Sequence, residues 1–406
     1  MVAILTGIFG IEHLTLAEDV VQEALARALQ TWPFYGVPAN PSAWIMRASR
    51  NLALDVVRRD KVFREKEEQI IHIIEGSAPA SGAFDLSDDH IVDDRLRMMF
   101  VCCHPLIPQE DQVALALKTL CGFSIAEISR AFLSSEAAVA KRLTRAKQNI
   151  RDAGIQFEIP TGKDLTRRLS GVLHSLYLLF NEGYKASGGD KLIREDICGE
   201  ALRLAALLAG HPAGDQPATH ALMALMLLNF ARSPARLDES GNLLRLQEQD
   251  RARWDREMIA RGMFHFAKSA SGEEMTEYHL EAGIVACHCA SKDYDSTDWQ
   301  QILTLYDRLL QFEDSPVVAL NRAVVVANLS GPQAGLDAVT AIAGRKKLDS
   351  YYLLYAVLGD FQQRMKNLSA ARLHFQKAMQ LAGIKSEQEF LLKRLQACEV
   401  PAESLS

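Results

Sequence analysis

The sequence predicts an all-α protein, and three observations carry the prediction. Apolar residues recur at steps of three and four along most of the 406-residue chain, the period of a helix with one buried face. Between Gln109 and Asp152 three such segments follow one another with only short breaks. Toward the C-terminus the spacing itself repeats, as it does where helix pairs stack side by side.

A hydrophobic content of 48% is ample for packed cores, and 406 residues suit two or three domains. No window approaches 18 uninterrupted apolar residues, and MVAILTGIFGIEH lacks the basic flank and cleavage site of a secretory signal. A cytoplasmic protein with no membrane span is therefore expected. The seven cysteines, at 102, 103, 121, 198, 287, 289 and 398, lack the spacing of a zinc ribbon and read as reduced thiols. Cys102-Cys103-His104 has no second pair in reach to complete a zinc site, and Cys287-His288-Cys289 sits where successive helical residues diverge by about 100°. No metal or other cofactor is expected. The net charge of −6 hides an uneven distribution. Residues 1–152 hold 17 Lys/Arg and 20 Asp/Glu, but eight of those acids and no bases fall between Glu67 and Asp94, so the remainder carries 17 cations against 12 acids.

The first clear helix runs from Leu16 to Gln30, with Val20, Ala24, Leu25 and Ala28 inward and Glu18, Asp19, Gln22, Glu23 and Arg27 outward. Such a polar face is either ordinary solvation or a docking surface. Thr31 to Pro41 reads as a loop that sets Trp32, Phe34 and Tyr35 among three prolines; rings so placed plug a core or stack on unpaired bases. Asn40-Pro41 then caps a helix reaching about Arg59, with Ile45, Ala48, Leu52 and Val56 inward. Trp44, Arg47, Arg50, Asn51, Arg58 and Arg59 lie on its other surface, a mixture suited to a DNA groove or a displaced strand, with a solvated face as the plain alternative.

Beyond the acidic segment, Val113, Leu117 and Leu120 mark the stripe of one helix, Ile125, Ile128 and Phe132 that of a second, and Val139, Leu143, Ala146 and Ile150 that of a third. Lys141, Arg142, Arg145 and Lys147 lie off the third stripe. The break at Leu133, Ser134 and Ser135 fits a helix-turn-helix corner, where a serine accepts a hydrogen bond from an orphan amide of the next helix. A cationic helix starting there can enter a major groove, its Arg and Lys on phosphates and its first turn on base edges. A three-helix bundle with a solvated charged face is the alternative.

From Asp164 onward DLTRRLSGVLHSLYLLFNEGY, REDICGEALRLAALLAGH, ATHALMALMLLNFA and REMIARGMFHFAK all carry wide apolar faces. Ala371, Phe375 and Ala378 fall at the spacing of the second helix of a tetratricopeptide repeat, with Tyr355, Leu358 and Gly359 on the first. Ala334, Ala338 and Ala341 repeat that spacing one unit earlier, and Ile302, Tyr306 and Leu309 do so again. Helix pairs of this kind bury their faces only by stacking, which generates a concave surface. The segment ARSPARLDESGNLLRLQEQDRARWDRE is dense in polar residues and reads as a clip between helices or as a ligand or regulatory contact; NEGY, Asn181 to Tyr184, is a similar case.

AEDVVQEALARAL, then WPFYGVPANPSAWIMRASRNLALDVVRRDK, then FSIAEISRAFLSSEAAVAKRLTRAKQNIR resemble, in order and spacing, regions 2 and 4 of an extracytoplasmic-function sigma factor, over residues 16–61 and 95–152. The whole chain is similar to the group of these factors with a long C-terminal tetratricopeptide-like extension. The resemblance implies a region 2 bundle over 1–66, an acidic flexible linker over 67–94 that threads the polymerase, region 4 over 95–155 and a helical regulatory domain over 156–406. It implies that Asp19, Gln22, Glu23 and Arg27 dock on the clamp coiled coil of bacterial core RNA polymerase. By the same resemblance Trp32, Trp44, Arg50, Asn51, Asp55 and Arg58 engage the −10 promoter element, and Ser134, Ser135, Glu136, Lys141, Arg142 and Arg145 the −35 element. The partners it implies are core polymerase, promoter DNA and an unknown regulatory protein or ligand at the C-terminal domain. Family members carry a longer helix ahead of the LTGIFG segment, and this sequence begins within it.

The expected function is promoter-specific initiation of transcription, regulated by the C-terminal domain. The chemistry would belong to the polymerase, since no HExxH, Walker loop or distinctive carboxylate pair points to an enzyme. The alternatives are a helix-turn-helix regulator with a tetratricopeptide sensor and a helical scaffold with no DNA role. The segment from Ala17 to Arg59 separates the first of these, because a regulator has no reason to place AEDVVQEA ahead of RNLALDVVRR.

Overall fold

The structure, a computed structural model, describes residues 1–59, 88–131, 134–184, 193–239, 242–312 and 314–398. The regular elements among them are helices, with one isolated β-bridge between Leu237 and Leu243. Two compact units divide the chain, Met1–Leu179 and Phe180–Ser406. Most of the acidic segment from Glu67, and Phe132 and Leu133 of the expected corner, lie outside the described residues.

The first unit opens with α1 (Val2–Phe9), α2 (Leu14–Tyr35) and α3 (Pro41–Arg59). Their shared core includes Leu5, Phe9, Val20, Met46, Ala53 and Val57. Each fully buried Leu or Phe there contributes about 1.5–3 kcal/mol. Two registers differ from the sequence reading. In α2, Leu25 is 43% exposed, while Glu18, expected outside, is buried. In α3 the buried line is Ile45, Met46, Ser49, Ala53 and Val57, so Ala48 and Leu52 sit at its edge and Val56 points outward. Counting apolar letters alone missed Ser49, whose hydroxyl donates to the Ile45 carbonyl at 2.8 Å and so travels into the core already satisfied. The expected loop from Thr31 is helical through Tyr35, Pro33 included. Asn40 caps α3 as expected, its side-chain oxygen accepting from the Ala43 amide at 3.0 Å.

Next come α4 (Asp88–Cys102), α5 (Gln109–Thr119), α6 (Ile125–Ala131) and α7 (Glu136–Asp152). Residues 88–94, counted by sequence with the acidic segment, are the first turns of α4. Helix α5 has no single apolar stripe: Asp111 through Leu117 are all buried, polar Asp111 and Gln112 among them. Gln112 closes a small network, donating to the carbonyls of His104 and Ile107 at 3.1 and 2.8 Å and accepting from Ser175 at 3.3 Å. Ser175 belongs to α8 (Gly162–Tyr184), whose first part completes this unit. Arg168 of α8 donates to the Phe100 carbonyl at 3.1 Å, and Gly171 passes so close that a Cβ there would lie 2.9 Å from the Cys103 carbonyl oxygen. Burial pushes the Cys103 thiol up to about 11 and raises Cys102 well above its ordinary value, so both are packed as protonated thiols.

The second unit contains α9 (Glu195–Ala209), α10 (Pro217–Phe230), α11 (Arg256–Ser269) and α12 (Glu277–Ala290). Helix α10 is apolar and buried on nearly every side, with α9, α11 and α12 packed around it. The polar segment between α10 and α11 is a clip built on hydrogen bonds. Arg251 is buried, donates to the carbonyls of His288 and Ser291 at 2.5 and 2.7 Å, and lies over the Trp254 ring. Cys289 and His288 are buried on α12, as the helical reading of that triplet expects.

An array of pairs follows: α13 (Trp299–Phe312), α14 (Pro316–Ser330), α15 (Pro332–Thr340), α16 (Tyr352–Arg364), α17 (Leu368–Leu381) and α18 (Lys385–Gln396). The last repeat packs as its spacing predicts. Ala371, Phe375 and Ala378 are buried, and Gly359 admits the Phe375 ring so closely that a Cβ would meet it at 2.6 Å. The preceding repeat is shifted by one residue from the expected positions. Gly335 and Val339 are its buried residues, while Ala334 and Ala338 are half-buried and Ala341 is exposed. The spacing survives, but Gly335 takes the tight contact because a Cβ there would lie 2.5 Å from that of Ala327. Ile302 and Leu309 are buried on α13.

Candidate nucleic-acid and polymerase interfaces

The helix-turn-helix is fixed by local capping at both of its helix starts. Before α6, Ser124 donates from its amide and hydroxyl to Glu127 at 2.8 and 2.7 Å, and its hydroxyl accepts from the Glu127 amide at 3.2 Å. Before α7, the Ser135 hydroxyl accepts from the Ala138 amide at 3.2 Å. Val139, Leu143, Ala146 and Ile150 are all buried, as their period predicts. The first turn is left open: Ser135, Glu136 and Ala137 are exposed, and Ser134 is half-buried with its amide bonded to the Ser129 carbonyl.

Four of the five cations of α7, those ahead of its last turn, fall into three environments. Lys141 is exposed and has no ion-pair partner among the described residues. Arg142 reaches Glu110 at 2.8 Å, and Arg145 makes a two-pronged contact with Asp111, both bonds 2.7 Å. Asp111 has no exposed side-chain surface, so Arg145 holds α7 on α5 while half its own side chain stays open. Lys147 turns inward. Its Nζ lies 2.5 Å from Glu18 Oε2, and Thr119 donates to the other oxygen of the same carboxylate at 3.1 Å. Sequence reasoning placed Lys147 on the basic surface and Glu18 on the outer face of α2. Neither residue type signals burial alone, and a pairing across 129 positions leaves no trace in local periodicity.

On α2, Asp19, Gln22, Glu23 and Arg27 are exposed together on one face, with Glu23 accepting from Arg27 at 3.0 Å. Their spacing of three and four makes that face continuous. Asp19, Gln22 and Glu23 also border a cleft of about 600 Å³ whose opposite side includes Ala140, Thr144 and Lys147 of α7. On α3, Trp44, Arg47, Asn51 and Asp55 follow one another along a single face; Asn51 and Asp55 are exposed and Arg50 beside them is half-buried. Arg58 lies on the last turn of that helix, its side chain outside the described residues. Trp32 meets Trp44 edge to face at 5.6 Å, so the end of α2 is joined to the start of α3 by an aromatic contact. Phe34 and Tyr35, at 83% and 89% exposure, extend beyond it.

Two promoter-factor domains recur here in their known order. The sigma-70 region 2 family matches residues 10–62 and the sigma-70 region 4 family matches residues 97–150. The chain belongs to the sigma-70 factors of the extracytoplasmic-function type, with a C-terminal extension. Within that extension, residues 168–270 match a family of unknown function designated DUF6596. The sigma factor is 38% identical over 394 residues to the uncharacterized protein R00370 of Rhizobium meliloti (strain 1021), a match covering 96% of this chain and 91% of the relative. No solved structure matches it. As a sigma factor it binds core RNA polymerase and promoter DNA. No described helix is long and apolar enough to cross a membrane.

Proposed function

We propose that this sigma factor docks on the clamp of core polymerase through Asp19, Gln22, Glu23 and Arg27, opens the −10 element with Trp32, Trp44, Arg50, Asn51, Asp55 and Arg58, and reads the −35 element with the start of α7. It acts in the cytoplasm, has no catalytic activity of its own, and its helical C-terminal domain governs when it initiates by sensing a partner protein or ligand. The observation that carries this reading is the exposed first turn of α7 in the same chain as an exposed polar face on α2. A helix-turn-helix regulator needs only the former. At the −35 element Ser134, Ser135 and Glu136 would meet base edges while Lys141, Arg142 and Arg145 meet phosphates. Arg142 and Arg145 keep donors to spare beyond their carboxylate partners, since a guanidinium carries five N–H groups.

Run-off transcription with purified core polymerase and the gene's own upstream region tests the proposal. The wild-type factor is expected to bind core without DNA and to give a discrete transcript. Lys141→Ala and Arg142→Ala are each expected to weaken the promoter complex and to lower its salt-dependence slope by about one. An unchanged slope in both variants would remove those side chains from the DNA.

A further inference from the structure

The second unit carries an open cavity of about 400 Å³ that none of the promoter chemistry uses, a volume suited to one small organic molecule. It lies along one face of the helix array. Helix α14 lends Asn321, Val325 and Asn328, at helical spacing, and α16 lends Ala356, Asp360 and Arg364 in the same way. The rings of Tyr294, Trp299 and Tyr306 add an aromatic wall, and α18 adds Phe390 and Arg394. Arg245 enters from the polar segment between α10 and α11, so part of that segment clips helices through Arg251 while another part lines this cavity.

The lining is mostly apolar, yet its charges do not balance. It holds three guanidinium groups, Arg245, Arg364 and Arg394, against one carboxylate, Asp360. His288 adds no charge, because burial and the nearby Arg232 and Arg251 hold its pKa down to about 3. Arg245 and Arg394 both donate to Asp360 Oδ1, at 3.1 and 2.7 Å, and Arg245 also holds Glu248. Arg364 is the one of the three without a close carboxylate. It gives one short bond, 2.8 Å to the Ala327 carbonyl, and a long one, 3.5 Å to Asn328 Oδ1, and approaches the Asp360 carboxylate only to 4.0 Å. Two more polar groups on the wall lack partners: the Tyr306 hydroxyl makes no hydrogen bond among the described residues, and His288 Nδ1 is buried and unpaired. A purely structural ion network closes its own charge and satisfies its buried donors. This one leaves a cationic surplus and open polar groups beside aromatic surface.

We propose that the cavity binds a small amphipathic anion, its aromatic or aliphatic body against Trp299, Tyr306 and Val325 and its carboxylate, sulfonate or phosphate group on Arg364. The site stands on its own geometry; any effect of its ligand on initiation rests on the regulatory role proposed above for the C-terminal domain.

Fluorescence titration of the full-length protein with anilinonaphthalene sulfonate, an aromatic body bearing one anionic group, tests the site. One saturable class of binding is expected, about tenfold weaker in Arg364→Gln and abolished in Asn321→Trp, where an indole at an exposed wall position fills the space. Melting temperatures close to the parent's would show that both variants are folded, and Asn321→Trp carries the test if Arg364→Gln is not. Uncharged phenylnaphthylamine is expected to bind more weakly to the parent and equally to Arg364→Gln. Failure of the sulfonate to bind the parent, or undiminished binding to folded Asn321→Trp, would overturn the site. Equal affinity of the charged and uncharged probes would overturn the anion assignment. None of these results bears on core binding or run-off, which test the promoter reading separately.

Discussion

The double charge reversal Asp19→Lys/Glu23→Lys is expected to lower affinity for core polymerase on the order of 1,000-fold with no loss of fold. Both side chains are exposed on α2, and among the described residues the only hydrogen bond or ion pair that either makes with another side chain is the Glu23 contact with Arg27 at 3.0 Å, an i,i+4 surface pair. Losing it costs about 0.3–0.5 kcal/mol, within the range of ordinary surface substitutions. Docking is a different matter. Two reversed charges at the centre of an interface remove two attractions and add two repulsions, and central charged contacts cost about 2 kcal/mol or more each when lost. Titration of labelled core polymerase with the factor measures the effect. The informative comparison is with Lys141→Ala, which is expected to keep full core affinity while weakening the promoter complex. Normal core binding by the double variant would move the docking surface off α2. Loss of both core and promoter binding by Lys141→Ala would deny the separation of the two surfaces.

How much of this was legible in the letters depended on how local the causes are. The corner at Ser135, the capping of α3 by Asn40 and the buried line through Val139, Leu143, Ala146 and Ile150 are all set within a few residues, and the sequence displays them. The registers that slipped did so where a polar or minimal residue takes a core position. Ser49 turns α3 by one residue because its hydroxyl is satisfied within its own helix. Gly335 takes the tight packing position beside Ala327 that the alanine spacing assigned to Ala334. Helix α5 reads as amphipathic because Asp111 and Gln112 look like solvent-facing residues. Both are buried, since Arg145 lies 34 positions later and Ser175 63 positions later to answer them. Long-range electrostatic partners, which periodicity cannot encode, account for the missed burial of Glu18 and Lys147.

That carboxylate supports the other large effect. Lys147→Met is expected to destabilise the first unit by about 3 kcal/mol, at the lower end of the cost of breaking a buried ion pair by removing one partner. The side chains of Lys147 and Glu18 are 17% and 9% exposed, and the 2.5 Å contact joins α7 to α2. Methionine matches the volume of the lysine stem, so packing is kept and the loss is electrostatic: Glu18 retains only the Thr119 hydroxyl at 3.1 Å. The partial exposure of Lys147, which admits water to the vacated position, is why the lower end applies. Adding Glu18→Leu removes the stranded charge and is expected to restore most of the stability, less about 1 kcal/mol for the unsatisfied Thr119 hydroxyl. Because the chain has two units, a single unfolding midpoint would mix them. Hydrogen exchange of the α2 and α7 amides reads the first unit alone, and 3 kcal/mol corresponds to exchange faster by about 100-fold through global opening. A double variant no more protected than Lys147→Met would mean that the cost lies in lost packing around the lysine stem, and an unprotected wild type would mean that α7 does not rest on α2 in solution.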